Sequence, residues 1–156
     1  MSLKEWLDYG WLRPHQTSPQ EIQDLLKIVE RDLVDAKSTA SADWRFGIAY
    51  NAALKCCTIL LHTSGYRAPA AQAHQRTIQA LPVILGAKWK GEEAYLNNCR
   101  SKRNTVEYDM AGVATEVDVA ELIDFSAKLK VAVVEWLNQN HPELLTAKNI
   151  SKRKKK

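Results

Sequence analysis

DWRFGIAYNAALKCCTILLHTSGYR, residues 43–67, decides the fold. Apolar residues recur along it at helical spacing, with Trp44, Ile48, Ala52, Cys56, Ile59, Leu60 and Thr63 along one side. A helix is predicted from about Asp43 to Ser64, stopped by Gly65. The alanines and cysteines of AYNAALKCC are small enough to let a neighbouring helix approach closely, which places this helix at the centre of a bundle.

The flanking segments carry the same period. Upstream, SPQE opens a helix: Ser18 caps, Pro19 suits the first helical position, and Glu21 is placed to reach back and close a capping box. Its core stripe is Ile22, Leu25, Leu26, Val29 and Leu33. Downstream, a helix from His74 to Leu85 contains Pro82, expected to kink it or end it early, and Gly86 marks its exit. Another runs from about Gly91 to Tyr108. The last begins at Thr115 with a second capping box, TEVD, and continues through Ala120, Ile123, Ala127, Val131, Val134 and Leu137 to a stop near NHPE. No run shows the two-residue alternation of a half-buried strand. The sequence therefore predicts an all-α, antiparallel up-and-down helical bundle of four to five main helices. It divides into an N-terminal arm with a short helix (1–18), the bundle (19–145) and a basic, disordered tail (146–156).

A chain of 156 residues makes one domain with a real core. No apolar run is long enough to span a membrane, and the first residues lack the basic and apolar regions of a signal peptide, so a cytoplasmic location is expected. Cys56, Cys57 and Cys99 lie inside apolar helical patterns, as small buried hydrophobes of a reducing compartment. Six positive charges and no acid lie in residues 148–156; with a net charge of +4, the rest of the chain is left at −2. Such a tail binds RNA, DNA or acidic lipid by counterion release, or aids solubility.

Chemistry concentrates in CRSKRNTVEYDMAG, residues 99–112. On a helix Arg100, Asn104 and Tyr108 share one face, while Arg103 lies about 100° around from Asn104 and one turn before Glu107. As scaffold, Arg103 pairs with Glu107, Arg100 and Lys102 are solvated, and Tyr108 caps the core. As a site, the same cations hold a phosphate. His15, His62, His74 and His141 are scattered, with no HExxH and no Cys/His ligand spacing, so no metal is expected; no phosphate-cradling glycine loop is present either. Asn51 and Tyr50 sit among apolar neighbours, where a buried Asn needs partners.

The run RSKRNTVEYD, following DWRFGIAYNAALKCCTILLHTSGYR and HQRTIQALPVILG, resembles the HEPN superfamily of small helical domains over roughly residues 20–140. Arg103 and Asn104 match its pattern of Arg, a polar residue, then His after four to six residues. The resemblance implies a dimeric bundle with the motif facing a cleft. Many such domains are metal-independent endoribonucleases of toxin–antitoxin or defence systems; others bind nucleotides or accompany a nucleotidyltransferase. It calls for no cofactor. This chain departs from the pattern at the His: the positions after Arg103 hold Tyr108, Asp109 and Met110. A tyrosine is a poor base at neutral pH, so either catalysis is lost or a distant residue such as His74 moves the proton. The expected phosphate- or RNA-binding set is then Arg100, Lys102, Arg103, Asn104, Asp109 and His74, with Arg103 and Tyr108 as the catalytic candidates. The expected partners are RNA or a nucleotide, a second copy of the chain, and an antitoxin or nucleotidyltransferase.

Overall fold

A computed structural model of the chain describes residues 1–108 and 110–145, with the backbone alone at Glu107 and Tyr108. Its elements are α1 (Leu3–Asp8), a two-residue strand β1 (Arg13–Pro14), α2 (Pro19–Asp35), α3 (Ala42–Thr63), a second short strand β2 (Tyr66–Arg67), α4 (Ala73–Leu85), α5 (Lys90–Tyr108) and α6 (Glu116–Asn140). A single 3-10 turn at Ala87–Trp89 joins α4 to α5. The fold is an all-α helical bundle. The two strands pair antiparallel, Arg13 opposite Arg67 and Pro14 opposite Tyr66, and tie the N-terminal arm to the turn after α3. Among the described residues no helix is long and apolar enough to cross a membrane.

The middle helix is the hub, for α3 packs against α2, α4, α5 and α6. Its surface is apolar nearly all round: Phe46, Ala49, Tyr50, Ala52, Ala53, Cys56, Cys57, Ile59, Leu60 and Leu61 are buried. That is the expected pattern for a helix surrounded by others. Small side chains bring α6 close enough for the buried Ser126 hydroxyl to donate to the Ala49 carbonyl at 3.0 Å. Gly65, at φ +98°, supplies the left-handed residue after the helix, and its carbonyl accepts from the His15 amide at 2.9 Å.

Four local details depart from the sequence-based expectations. Along α6 Ala120 and Val131 are exposed, and the buried face is Val119, Leu122, Ser126, Leu129, Val133 and Leu137, of which only Leu137 lay on the stripe read from the sequence. Ser18 caps α2 by accepting from the Glu21 amide, but the Glu21 carboxylate turns away from the cap toward His15, His62 and Thr17. Pro82 does not end α4 early; it lies in the final turn, where only one backbone bond is forfeited, and the helix runs on to Leu85. Trp44, placed on the core stripe of α3, is 66% exposed, because that face of the first turn borders an open groove between α2 and α5 instead of a packed helix. At Thr115 the expected box is complete, with Thr115 and Asp118 bonding each other's backbone amides.

Candidate functional site

α2, the start of α3 and the end of α5 enclose a groove of about 640 Å³. Its described lining comprises Asp32 of α2, Ser41 before α3, Asp43, Trp44, Gly47, Ile48 and Asn51 of α3, and Arg103 and Val106 of α5. Trp44, Gly47, Ile48 and Asn51 follow the i, i+3, i+4, i+7 spacing of one helical face, so a single face of α3 makes one wall. Gly47, without a side chain, lies between Trp44 and Asn51 on that wall.

Both acids of the groove are already engaged. Asp43 accepts from the Gly112 amide at 2.5 Å and the Ala114 amide at 3.0 Å, fixing the loop before α6. Asp32, 5% exposed, accepts from Asn51 Nδ2 at 2.6 Å and from Arg31 Nε at 3.1 Å. These bonds fix both carboxylates in place, and Arg31 offsets the charge of Asp32 at 3.0 Å. Asn51, half-buried at the groove wall, finds its structural partner in Asp32.

Arg103 lines the same groove from α5. Its guanidinium carbon lies 5.8 Å from the Tyr50 ring centre, within cation–π range. Its Nη1 makes a long contact of 3.5 Å with Asn104 Oδ1. Tyr50 is buried, and its hydroxyl shares a hydrogen bond of 3.3 Å with His74 Nδ1. Burial pushes the Tyr50 phenol well above its ordinary pKa, against the opposing pull of Arg103 and Arg100, so the hydroxyl stays protonated. Three elements therefore converge on one ring: α5 brings Arg103, α3 brings Tyr50, and α4 brings His74.

The other residues singled out in the sequence separate. Arg100 donates from Nε to Asn97 Oδ1 at 3.0 Å, one turn back on α5. Lys102 lies beside a different, smaller hollow with Phe46 and Cys99, and its Nζ pairs with Asp118 Oδ2 at 2.6 Å. That hydrogen bond holds the Asp118 carboxyl below the usual range. The Tyr108 side chain and Asp109 lie outside the described residues, as does the tail from 146 onward.

Trp44, Ser41 and Asp32 were not singled out as site residues. Asp32 had a signal: it falls three residues after Val29 and four before Ala36, on the buried stripe of α2, where an acid demands a partner. Trp44 had none, because an aromatic at core spacing reads as core. Comparison with protein-family models, with characterised proteins and with solved structures gave no significant match.

Proposed function

We propose that the groove between α2, α3 and α5 binds a nucleotide unit, free or within single-stranded RNA, with a phosphate on Arg103 and the base against Trp44. The observation that carries this reading is the pairing, in one groove, of a 66% exposed indole with a guanidinium. A tryptophan so exposed offers a base a flat stacking surface worth about 1–3 kcal/mol. A guanidinium offers a phosphate two parallel hydrogen bonds. The apolar sides of Ile48 and Val106 suit the edge of a base or ribose. The resemblance of RSKRNTVEYD to HEPN domains points to the same class of ligand. Pairing of two α5 helices in a homodimer belongs to this proposal, since it brings two copies of Arg103 to one RNA strand.

Cleavage is the second reading, and the Tyr50–His74 hydrogen bond is what favours it, because it brings an imidazole into the neighbourhood of Arg103. Yet Tyr50 connects the two, and His74 is not among the described residues that line the groove. Binding therefore stands ahead of turnover. The test is to incubate the pure protein with labelled nucleotides and with total RNA, alongside Arg103→Ala. Binding weakened at least tenfold by the substitution, with no change in the RNA length distribution, supports the binding reading. Shortened RNA that is lost in both Arg103→Ala and His74→Ala moves the assignment to an endoribonuclease. Equal binding by Arg103→Ala with an unchanged helical spectrum removes the site.

A further inference from the structure

At the other end of α3, about 17 Å along the helix axis from Asn51, the fold gathers residues that are far apart in sequence. Glu21 Oε1 lies 2.8 Å from His15 Nε2, 3.1 Å from His62 Nδ1 and 2.7 Å from the Thr17 hydroxyl. The two imidazole rings stack with centres 3.9 Å apart and planes inclined at 33°. We propose that His15, His62 and Glu21 form a binding site for a divalent transition-metal ion of the zinc class, which clips the N-terminal arm to the bundle.

Four observations support it. The three ligand atoms lie within 4.8 Å of one another. Donors bonded to a tetrahedral ion at about 2.0–2.2 Å sit roughly 3.4 Å apart, so the contacts of 2.8 and 3.1 Å to Glu21 have to open by about 0.3–0.6 Å, and the imidazole rings, with centres now 3.9 Å apart, have to part by roughly 1 Å. The donor set, two imidazole nitrogens and one carboxylate oxygen, suits zinc and its neighbours rather than calcium or magnesium, and leaves a fourth position for water. Exposures of 18% for His15, 19% for His62 and 33% for Glu21 keep the cluster sheltered yet reachable from solvent. Thr17 already donates to the carboxylate, as an outer partner that orients a ligand would.

The backbone holds these groups independently of one another. His15 follows β1 and its amide is bonded to the Gly65 carbonyl, Glu21 sits in the capped first turn of α2, and His62 lies in the last turn of α3. Glu21 also forgoes the capping box that its position three residues after Ser18 would permit, and spends its carboxylate on the imidazoles instead. A local rule set aside in this way marks a residue with another task.

The test is equilibrium binding of Zn²⁺ and Co²⁺ to the full chain after chelator dialysis, with thermal unfolding in parallel. The expected result is one ion per chain at micromolar affinity or tighter, a higher Tm on adding one equivalent, and the visible bands of low-coordinate Co²⁺. His15→Ala and His62→Ala should each weaken binding at least tenfold, and Thr17→Val less, whereas His74→Ala and His141→Ala should leave it unchanged. To separate loss of a ligand from loss of folding, Glu21→Gln, which keeps the size and a hydrogen-bonding oxygen, is the second arm and should also weaken binding at least tenfold. No binding below 100 micromolar by the folded wild type, or binding undiminished in a folded His15→Ala/His62→Ala double variant, overturns the proposal.

Discussion

The guanidinium of Arg103 stands over the ring of Tyr50, its carbon 5.8 Å from the ring centre. A buried, uncharged ring limits the directions an arginine can take, and a cation–π contact of this kind is worth about 0.5–2 kcal/mol. Tyr50→Phe keeps that face and gives up the hydrogen bond to His74, at about 1 kcal/mol of stability. Its nucleotide affinity should stay within twofold of wild type. Tyr50→Leu removes the face and should weaken binding several-fold even in protein that folds. Urea unfolding and nucleotide titration on the two variants separate stability from positioning; equal affinities for both would mean that Tyr50 does not orient Arg103.

Asp32 joins α2 to α3 through Asn51. Asp32→Ala leaves the Asn51 amide without the acceptor 2.6 Å away. An unsatisfied buried donor costs about 1–3 kcal/mol, and for a half-buried amide at a groove wall the lower end of that range applies, so the urea midpoint should fall by the equivalent of about 1 kcal/mol with the slope of the transition unchanged. A loss below about 0.5 kcal/mol would show that water replaces the carboxylate at no cost.

Ala49 lies fully buried on α3, and its carbonyl accepts from the Ser126 hydroxyl of α6. Ala49→Leu adds three carbons where the two helices approach most closely. Overpacking of this kind costs about 1–3 kcal/mol or more. Ser126→Ala removes only a hydrogen bond, so its cost should be nearer 1 kcal/mol. Thermal unfolding that ranks Ser126→Ala as the more damaging change would contradict the close α3–α6 packing.

Burial raises the thiols of the three cysteines, to about 12 for Cys56, higher still for Cys57, and to about 11 for Cys99. At pH 8 even Cys99 then holds only about one thiolate in a thousand, and the thiolate is the reactive form. A thiol reagent should label none of them in native protein at pH 8 and all three in urea. Fast labelling of one cysteine in the native state would show that its helix opens locally.

Much of the fold was legible because the helices announce themselves: Ser18 and Thr115 cap where their residue types predict, and Gly65 and Gly86 stop α3 and α4. Most of the apolar spacing of α3 also gave its core, because a period of 3.6 residues reports burial directly. Trp44 shows the limit of that logic. Periodicity tells which face a residue shares but not whether a neighbouring helix fills the space in front of it, so an aromatic lining a groove looks the same in sequence. The site was legible only in part. Of the residues the motif pointed to, Arg103 lines the groove and Asn104 does not, whereas Asp32, Asn51 and Trp44 come together only when α2 and α3 pack. His15, Glu21 and His62 span 48 residues of sequence and meet through the packing of α2 on α3 and the β1–β2 pairing that brings His15 to them. Two strands of two residues give no alternation to detect.

The chain has five tryptophans, Trp6, Trp11, Trp44, Trp89 and Trp136, and their indole N–H groups give separate nuclear resonances by which a ligand reports its own position. The most direct test of the groove is to titrate nitrogen-labelled protein with a mononucleotide and a short single-stranded RNA, after identifying the Trp44 signal by its loss in Trp44→Phe. The Trp44 indole and the Arg103 side chain should shift together, saturably, while the other four indoles stay in place, and Arg103→Ala should raise the Kd at least tenfold, about 1.4 kcal/mol. Saturable shifts at Trp6, Trp11, Trp89 or Trp136 with Trp44 unmoved, or no saturable shift at any of the five, would contradict a nucleotide-binding groove between α2, α3 and α5.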